Sequence, residues 1–377
     1  MIERIIKQLA KQRMSPQKAI IIIGPRRVGK TALLHMLSNE TIKNTLFMNC
    51  DEPGIRQKLN YTTATELKAE TSGFNLILID EAQRVQNIEM TLKLLVDIFP
   101  GKQVVVTSST ALGLSDSPNG PLTGRKYEYT MLPISAEELI AHHGKDIERR
   151  LLERRLVYGL YPEVVNHAGD ECEALTNLSG SNLYKDIFAF QDVRKPEIIE
   201  QLLQALALRI GSEVSYNELG CLIGLNSQTV RRYIDFLEKS FIVFHLSSFN
   251  RDVQGELKKS HKIYFWDNGI RNAILGDFKP INLRQDIGAL WENYLVVERL
   301  KHHSYSQFNG KCYFWRTKQQ QEIDYLEDID GELRTYEFRW GSTKHPKLTA
   351  TFSKNYPNHT YAVINPDNYQ EFVTGRI

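Results

Sequence analysis

The feature that most constrains the fold is a glycine-rich segment placed between a predicted strand and a predicted helix. Residues 19–23 form an aliphatic run typical of a buried strand, and residues 24–31 follow with the pattern G-x-x-x-x-G-K-[ST]. A helix is predicted from Lys30 to about Ser38. In this context the glycines let the backbone curl, so that its N–H groups and the helix N-terminus face an anion. The segment therefore predicts a phosphate-binding loop.

The residue types of this loop indicate how it contacts a nucleotide. Its members are Gly24, Pro25, Arg26, Arg27, Val28, Gly29, Lys30 and Thr31. In a loop of this pattern the lysine neutralises the β- and γ-phosphates, and the hydroxyl group ligates Mg²⁺. We therefore expect Lys30 to bind the phosphates and Thr31 to bind the metal ion.

An acid pair follows a second buried strand. Four aliphatic residues, 76–79, precede Asp80 and Glu81. Acids at the carboxyl end of such a strand emerge beside the phosphate loop, because ligands of open α/β sheets bind at that edge. A capped helix start has a similar sequence, but the pairing with the loop favours a catalytic interpretation. Asp80 is predicted to hold Mg²⁺ through water, and Glu81 to polarise the attacking water as general base.

The nucleotide base is predicted to be adenine by elimination. GTPases usually carry an N-K-x-D-type guanine clamp after a later strand, and none is found in the sequence. Asp80 is followed by Glu-Ala-Gln rather than by the D-x-x-G pattern of GTPase switches. A predicted strand at residues 46–50 lies between the loop and the acid pair, which also favours the ATPase branch. The expected cofactors are ATP and Mg²⁺.

Further polar groups fall where such a site uses them. Thr107, Ser108 and Ser109 end the fourth predicted strand, next to the γ-phosphate in this architecture. One of these three hydroxyl groups, with Ser109 as a candidate, either senses the phosphate or orients the attacking water. The alternative is that these hydroxyl groups only cap a turn. Arg125 precedes the fifth strand and is either an arginine finger for a neighbouring subunit or a solvated surface residue.

The N-terminal pattern alternates strands with helices, which predicts a parallel sheet covered on both faces. Its later strands are expected at residues 76–80, 103–107 and 127–132. After Pro133 the sequence becomes charged and helical to about Arg155. With 377 residues the chain is too long for one ordinary domain, which predicts two or three.

Composition limits the compartment and the partners. The net charge is +2, so any surface that attracts nucleic acid must be local. The longest aliphatic run, residues 19–23, is far shorter than the roughly 20 residues that a membrane span needs. The first residues carry no signal-peptide pattern. Four scattered cysteines lack metal-ligand spacing and are expected to be free, buried thiols. These features predict a cytoplasmic protein with no membrane partner.

With these motifs in place, nearly the whole chain resembles a family of prokaryotic AAA-like P-loop ATPases with a C-terminal domain of unknown function. That domain resembles a winged helix followed by a restriction-endonuclease-like module. The motifs that carry the resemblance are the loop at 24–31, Asp80-Glu81-Ala82-Gln83, Thr107-Ser108-Ser109, Gly124-Arg125, residues 159–163, residues 262–267, Glu292-Asn293, Trp315-Arg316, residues 322–324 and residues 337–339. The resemblance implies ATPase activity and homo-oligomer or ring formation.

A helix-turn-helix pattern lies in the middle of the chain. Ser215 and Glu218 form a capping-box signature for a helix at 216–223, and a second helix is predicted at 227–239. A basic loop with Arg251, Lys258, Lys259 and Lys262 then separates two predicted strands and would form the wing. The predicted DNA contacts are Gln228, Thr229, Arg231, Arg232, Lys258 and Lys259. DNA contact and protein docking both remain open for this region.

The C-terminal part carries a nuclease-like constellation by resemblance. Nucleases of this type place an acid on a helix, an Asp at a strand start and an E-x-K motif on the next strand. The matching residues are Glu292, Asp324, Glu337 and Arg339. Arginine is a poor substitute for the lysine, so the site is predicted to be vestigial. Lys311 or Lys318 is a candidate replacement for the lysine, and Glu298 and Glu322 are unassigned spare acids.

The predicted fold class is α/β. The predicted domains are an AAA-like P-loop ATPase core at 1–140, a helical lid at 141–196, a winged helix at 197–280 and a small, inactive restriction-endonuclease-like module at 281–377. The leading hypothesis is an ATP-driven switch or motor acting on DNA or a DNA-bound complex. The alternatives are a regulatory ATPase directed at a protein partner and an ATP-gated nuclease.

Overall fold

The computed structural model describes residues 2–40, 44–99, 101–111, 120–182, 196–250, 260–341 and 347–377. Contacts divide the chain into two units. The first comprises Met1–Pro133 with Lys239–Phe241, and the second Ile134–Glu238 with Ile242–Ile377. The four-domain division of the chain stays a prediction.

The first unit is built on a five-stranded parallel sheet with strand order β2-β3-β4-β1-β5. Its strands are β1 (Ala19–Ile23), β2 (Thr45–Asn49), β3 (Leu76–Asp80), β4 (Gln103–Ser108) and β5 (Lys126–Thr130). All residues of β1, β3 and β4 are buried, as expected for strands covered on both faces. The predicted α/β fold with a parallel sheet is confirmed. The second and fifth strands start one residue earlier than predicted, and the fifth also ends two residues earlier.

Five α-helices accompany this sheet in the described residues of the first unit. They are α1 (Ile5–Arg13), α2 (Lys30–Asn39), α3 (Pro53–Leu59), α4 (Ala64–Thr71) and α5 (Ile88–Ile98). Helix α2 follows the loop after β1 directly, as the motif predicts. A 3₁₀ turn, Ala82–Arg84, follows β3. Because all five strands are parallel, the carboxyl ends of β1, β3 and β4 lie at one edge of the sheet, where the candidate site is built.

The second unit begins with four helices. They are α6 (Ala136–His143), α7 (Lys145–Tyr158), α8 (Pro162–Asn166) and α9 (Glu171–Asn177). Ser135 caps α6 in a capping box, in which its side chain accepts a hydrogen bond from the Glu138 amide and the Glu138 side chain binds the Ser135 amide. The stretch from Asn166 to Asn182, predicted as a loop or loose helical connection, contains α9 and a π-helical turn, Leu178–Asn182.

A three-helix group and a hairpin follow. Helices α10 (Pro196–Leu208), α11 (Tyr216–Ile223) and α12 (Ser227–Lys239) precede the antiparallel strands β6 (Val243–Ser247) and β7 (His261–Phe265). They share one apolar core to which each helix and both strands contribute, with Leu206, Leu219, Ile234, Val243 and Ile263 among its members. The two helices predicted at 216–223 and 227–239 and the two strands after them are present, and their assignment to a winged helix stays a prediction.

The C-terminal part of this unit contains a second, mixed sheet with strand order β11-β10-β9-β8. Its strands are β8 (Lys311–Arg316), β9 (Glu322–Ile329), β10 (Glu332–Phe338) and β11 (His359–Ile364). Strands β8, β9 and β10 pair antiparallel, whereas β10 and β11 are parallel. The helices of this region are α13 (Asn268–Leu275), α14 (Ile287–Ser306), α15 (Ala350–Asn355) and α16 (Tyr369–Val373), with a 3₁₀ turn at Ile281–Leu283.

No helix of the described residues combines the length and the apolar character that crossing a membrane requires. All four cysteines are free. Cys50 is buried and Cys312 is half-buried, but Cys172 and Cys221 are exposed. The expectation of buried thiols is therefore wrong for Cys172 and Cys221, because both lie on outward faces of helices where no core covers them.

Candidate functional site

The phosphate loop begins where β1 leaves the sheet. Gly24 has a φ of 152°, and a Cβ atom added there would lie 2.0 Å from the carbonyl oxygen of Met131. Any side chain would therefore displace the backbone that the loop packs against. Gly29 and Arg27 also have positive φ values, 99° and 61°. The loop thus adopts the curled backbone that its glycines predict.

Lys30 is held across this loop. Its side chain is only 4% exposed, and Nζ donates hydrogen bonds of 2.8 Å to the carbonyl oxygens of both Gly24 and Pro25. These acceptors carry no net charge. These two bonds hold the ammonium group at the loop, where an anion entering the loop meets a positive charge.

Thr31 and Asp80 meet as the sequence predicts. Thr31 Oγ1 donates a 2.7 Å hydrogen bond to Asp80 Oδ2, and the Thr107 hydroxyl donates to Asp80 Oδ1. Asp80 is buried, at 3% exposure, and the two hydroxyl groups orient one carboxylate oxygen each. A hydroxyl oxygen beside a carboxylate is a donor set that suits Mg²⁺, which prefers hard oxygen ligands. The residues at this point therefore fit the expected metal ion.

Glu81 adopts a left-handed backbone conformation, with φ 55° and ψ 42°. Its amide donates a 3.1 Å hydrogen bond to Thr107 Oγ1, which ties the residue to the end of β4. The Arg26 guanidinium lies 3.9 Å from Glu81 Oε2. Non-glycine residues rarely adopt this backbone region, and such conformations persist only where neighbouring contacts fix them. The candidate base is thus held at the carboxyl edge of the sheet.

Ser109 is brought to the same place by Gln83, which the family resemblance includes in its motif at residues 80–83 but to which the sequence assigned no role. Gln83 Nε2 donates to Glu81 Oε2 at 2.5 Å and to Ser109 Oγ at 2.7 Å. The Ser109 amide donates back to Gln83 Oε1 at 3.1 Å. Gln83 therefore bridges the candidate base and the candidate sensing hydroxyl. Its sequence signal was its position two residues after Glu81.

Arg125 lies before β5, as predicted, and forms an ion pair with Asp97. Its Nε is 2.6 Å from Asp97 Oδ1, and both side chains are more than a third exposed. An exposed pair of this kind holds a side chain weakly. Its role as an arginine finger needs a second subunit and stays a prediction.

The predicted DNA-contact residues of α12 lie on its outward side. Val230, Tyr233, Ile234 and Leu237 are buried, whereas Gln228, Arg231 and Arg232 are exposed and Thr229 is half-buried. The Asn226 side chain accepts a 2.8 Å hydrogen bond from the Thr229 amide, which fixes the start of the helix. Gly220 permits the close turn, since a Cβ there would lie 2.4 Å from the carbonyl oxygen of Leu225.

The expected wing needs one correction. Lys262 was placed in a basic loop that contacts phosphates, but it lies on strand β7 and its side chain is 2% exposed. Its Nζ contacts Glu292 Oε1 at 2.9 Å and Glu322 Oε1 at 2.5 Å. Both faces of this strand are covered, since residues 262–265 are all buried, so Lys262 is not available to a phosphate on DNA. Arg251, Lys258 and Lys259 lie outside the described residues.

Lys262 is the centre of a group that we call the acid–lysine cluster. Tyr264 Oη donates a 2.7 Å hydrogen bond to Glu292, and the Phe338 amide donates at 2.7 Å to Asp324 Oδ2. Arg339 pairs with Glu337, two residues before it on the chain. The cluster comprises Lys262, Tyr264, Glu292, Glu322, Asp324, Glu337 and Arg339. The residues assigned by resemblance to a vestigial nuclease site are thus near one another, with a lysine among them.

The charges in this cluster shift one another's pKa values. Burial, followed by repulsion from Glu292, raises the pKa of Asp324 to about 8. Burial also raises the pKa of Glu337, and Arg339 opposes that shift. For Lys262 burial acts to lower the pKa, but attraction by Glu292, Glu322 and Asp324 outweighs it and raises the pKa above its ordinary value. The lysine therefore keeps its charge, whereas the environment of Asp324 favours its neutral, protonated form.

The remaining candidates of the C-terminal part are placed elsewhere. Glu298 is buried and binds the Ala136 amide at 2.5 Å and Lys301 Nζ at 2.7 Å, so it has a structural role. Lys311 and Lys318 are exposed. Within the described ranges no group of three or more histidine, cysteine or acidic residues has a spacing that could hold a metal ion.

Family comparisons agree with this organisation. Residues 16–140 match the model of an AAA domain. Residues 149–280 and 287–376 match two models described as domains of unknown function, DUF8612 and DUF4143. The chain thus contains an AAA domain followed by domains of unknown function, which confirms that part of the resemblance. The winged-helix and restriction-endonuclease-like assignments stay predictions.

Curated relatives align with most of this chain and with most of their own length. An uncharacterized protein of Mycobacterium tuberculosis is 26% identical over 337 residues, which cover 88% of this chain and 71% of the relative. An uncharacterized protein of Haemophilus influenzae is 26% identical over 81% of this chain and 78% of its own length. One from Methanocaldococcus jannaschii is 20% identical over 86% and 75%. Their descriptions assign no substrate.

Proposed function

We propose that the protein binds MgATP in the loop at residues 24–31 and hydrolyses it to ADP and phosphate. The observation that carries this proposal is the convergence of Lys30, Thr31 and Asp80 at the carboxyl edge of a parallel sheet, with Glu81 beside them. The AAA-domain match over residues 16–140 supports it, because AAA domains generally bind ATP with Mg²⁺.

Each side chain has a separate task in this proposal. Lys30 exchanges its carbonyl contacts for the β- and γ-phosphates, and the loop amides bind the remaining phosphate oxygens. Thr31 and Asp80 hold Mg²⁺, which supplies positive charge to the phosphates when it is bound. The buried setting of Asp80 and Lys30 strengthens these interactions, because little water competes with them.

Glu81 orients the attacking water and accepts its proton. The water oxygen forms a bond to the γ-phosphorus while the bond to the β,γ-bridging oxygen breaks, and the products are ADP and inorganic phosphate. Thr107 fixes the Glu81 backbone, and Ser109 lies at the adjacent strand end. We further propose that the protein forms a homo-oligomer in which Arg125 reaches the γ-phosphate of a neighbouring subunit.

Hydrolysis is tested with Lys30→Ala and Glu81→Gln. We expect Lys30→Ala to lose MgATP binding in isothermal titration calorimetry, because the charge that meets the phosphates is gone. Glu81→Gln should bind MgATP as the wild type does but release phosphate about 10²- to 10⁴-fold more slowly. Full turnover by Glu81→Gln would remove Glu81 from the mechanism, and wild-type protein without ATP binding would overturn the proposal.

A second part of the proposal is that the ATPase acts on DNA or a DNA-bound complex through the outward side of α12. The supporting observation is that Gln228, Arg231 and Arg232 are exposed at the start of a helix whose opposite side is buried. Polar and basic side chains at this position of a helix-turn-helix suit the major groove and its phosphates. A protein partner docking on the same helix is the alternative.

The double variant Arg231→Ala/Arg232→Ala distinguishes the two. For DNA binding we expect an affinity loss of about tenfold and a salt dependence whose slope falls by about two, since two phosphate contacts are lost. Arg149→Ala/Arg150→Ala removes the same charge from exposed positions of α7 and should leave binding unchanged. Fluorescence anisotropy over a range of salt concentrations measures both quantities. Equal losses in the two double variants, or no DNA binding by the wild type, would favour the protein partner.

A further inference from the structure

Gln83 makes three hydrogen bonds to the two polar groups that flank the proposed hydrolysis site. Its amide nitrogen donates to Glu81 Oε2 and Ser109 Oγ, and its amide oxygen accepts from the Ser109 backbone. Ser109 is fully buried, and Glu81 and Gln83 are half-buried. One side chain thus uses both of its donors and its acceptor at this point.

These contacts restrict the Glu81 carboxylate as well as the Gln83 amide. The two bonds with Ser109 orient the amide plane, because one is donated and the other accepted on the same residue. An amide oriented in this way presents its second N–H to Glu81 in a defined direction. A hydrogen bond to a charged acceptor is stronger than one between neutral groups, so it restricts the carboxylate effectively.

Ser109 makes this arrangement responsive to the nucleotide. It lies at the end of β4, between the strand that carries the acid pair and the strand that leads into the phosphate loop. The Ser109 oxygen accepts from Gln83, so its own O–H remains available to a γ-phosphate oxygen or to the attacking water. Donation of that O–H polarises the Ser109 hydroxyl and strengthens its bond with Gln83, which holds the amide, and with it the Glu81 carboxylate, more firmly in place.

We propose that Gln83 is a positioning residue that links Ser109 to Glu81, so that the general base is held most firmly in its working position when Ser109 has met the γ-phosphate. This inference rests on the proposed ATPase function. It assigns to Gln83 no contact with the nucleotide and no proton transfer. The loss of Gln83 should therefore lower kcat and leave MgATP affinity unchanged.

Three variants test the link in steady-state phosphate release. Gln83→Ala should lower kcat by about tenfold to a hundredfold, the range expected for loss of a hydrogen bond to a charged group. Gln83→Glu keeps the shape of the side chain and replaces its donor with a carboxylate, so its kcat should fall at least as far. Gln86→Ala removes an exposed glutamine three positions later and should behave as the wild type.

Two combinations of variants distinguish the positioning role of Gln83 from a merely structural one. If Gln83 and Ser109 act as one unit, Gln83→Ala/Ser109→Ala should lose no more activity than the more affected single variant. In a Glu81→Gln background, Gln83→Ala should produce no further loss in single-turnover hydrolysis, because its effect is transmitted through Glu81. Circular dichroism and MgATP titration monitor folding and binding in every variant.

The outcomes separate this inference from the function on which it rests. A wild-type protein that binds no MgATP, or binds it without turnover, overturns both. Wild-type turnover with an unchanged kcat in Gln83→Ala or Gln83→Glu overturns the inference alone. So does a loss of activity that persists in the Glu81→Gln background, or losses that multiply in the Gln83→Ala/Ser109→Ala double variant.

Discussion

Lys30 in the first unit and Lys262 in the second are both buried lysines, at 4% and 2% exposure. They differ in what holds the ammonium group. Lys30 donates to two backbone carbonyl oxygens, whereas Lys262 contacts the carboxylates of Glu292 and Glu322. The two carbonyl oxygens that accept from Lys30 are neutral, so phosphate oxygens can take their place. The charge of Lys262 is already neutralised within the protein, so it contributes to folding rather than to binding.

The energetic consequences of removing the two lysines differ for the same reason. Removing one partner of a buried ion pair leaves an uncompensated charge in the interior, which costs more than the pair contributes. Around Lys262 the charges left behind are the carboxylates of Glu292 and Glu322, with which it forms its ion pairs. Around Lys30 the groups left behind include the carbonyl oxygens of Gly24 and Pro25, which carry no net charge.

The largest expected effect is therefore on stability, in Lys262→Met. We expect a loss of about 3–5 kcal/mol in the free energy of unfolding, with MgATP affinity unchanged in the protein that remains folded. The matched variant Lys30→Met should show the opposite pattern, a smaller loss of stability and a loss of MgATP binding. Urea unfolding and nucleotide titration of the two variants side by side measure both quantities.

Adding Glu322→Gln to Lys262→Met provides the control. Removing an acid together with the lysine relieves part of the uncompensated negative charge, so the double variant should recover part of the lost stability. A Lys262→Met protein that unfolds at the wild-type urea concentration would contradict internal neutralisation. Lys262 and Lys30 would then not differ in how the charge of each ammonium group is balanced.

The two sites also differ in how far the sequence could predict them. The phosphate loop is contiguous, and its placement between β1 and α2 is set by local sequence. Asp80 lies on the next strand but one in the sheet, and parallel pairing brings it to the same edge. Local pattern and a general rule of sheet topology were therefore sufficient for the loop and the acid pair. The roles of these residues stay predictions.

The acid–lysine cluster could not be assembled from sequence in this way. Its members come from β7, α14, β9 and β10, and the packing of these elements on one another is not encoded in any short segment. Lys262 was assigned to a loop because three other basic residues precede it along the chain. Its burial depends on the elements that cover both faces of β7, where residues 262–265 are all buried. Gln83 was missed for a related reason, since its three bonds depend on a neighbouring strand.

A smaller effect is expected in the pH dependence of stability, through Asp324. Its folded-state pKa of about 8 lies above the ordinary value of 3.8, because of burial and then repulsion from Glu292. Between these two pH values the unfolded chain has released this proton while the folded protein retains it. The unfolded state then binds fewer protons, so the stability falls as pH rises. The contribution of the group is fully present below about pH 4 and is lost as pH rises through about 8.

Asp324→Asn isolates this contribution, because the asparagine oxygen still accepts from the Phe338 amide but never ionises. We expect the free energy of unfolding to fall less between pH 5 and pH 8 in this variant than in the wild type, measured by urea unfolding at fixed salt. Asp367→Asn, at a side chain that is 80% exposed, should retain the wild-type pH dependence. A wild-type slope in Asp324→Asn would show that Lys262 holds Asp324 ionised in the folded protein. The charge of Lys262 would then be balanced by ionised carboxylates, with no proton retained on Asp324. The difference between Lys262 and Lys30 would be larger in that case.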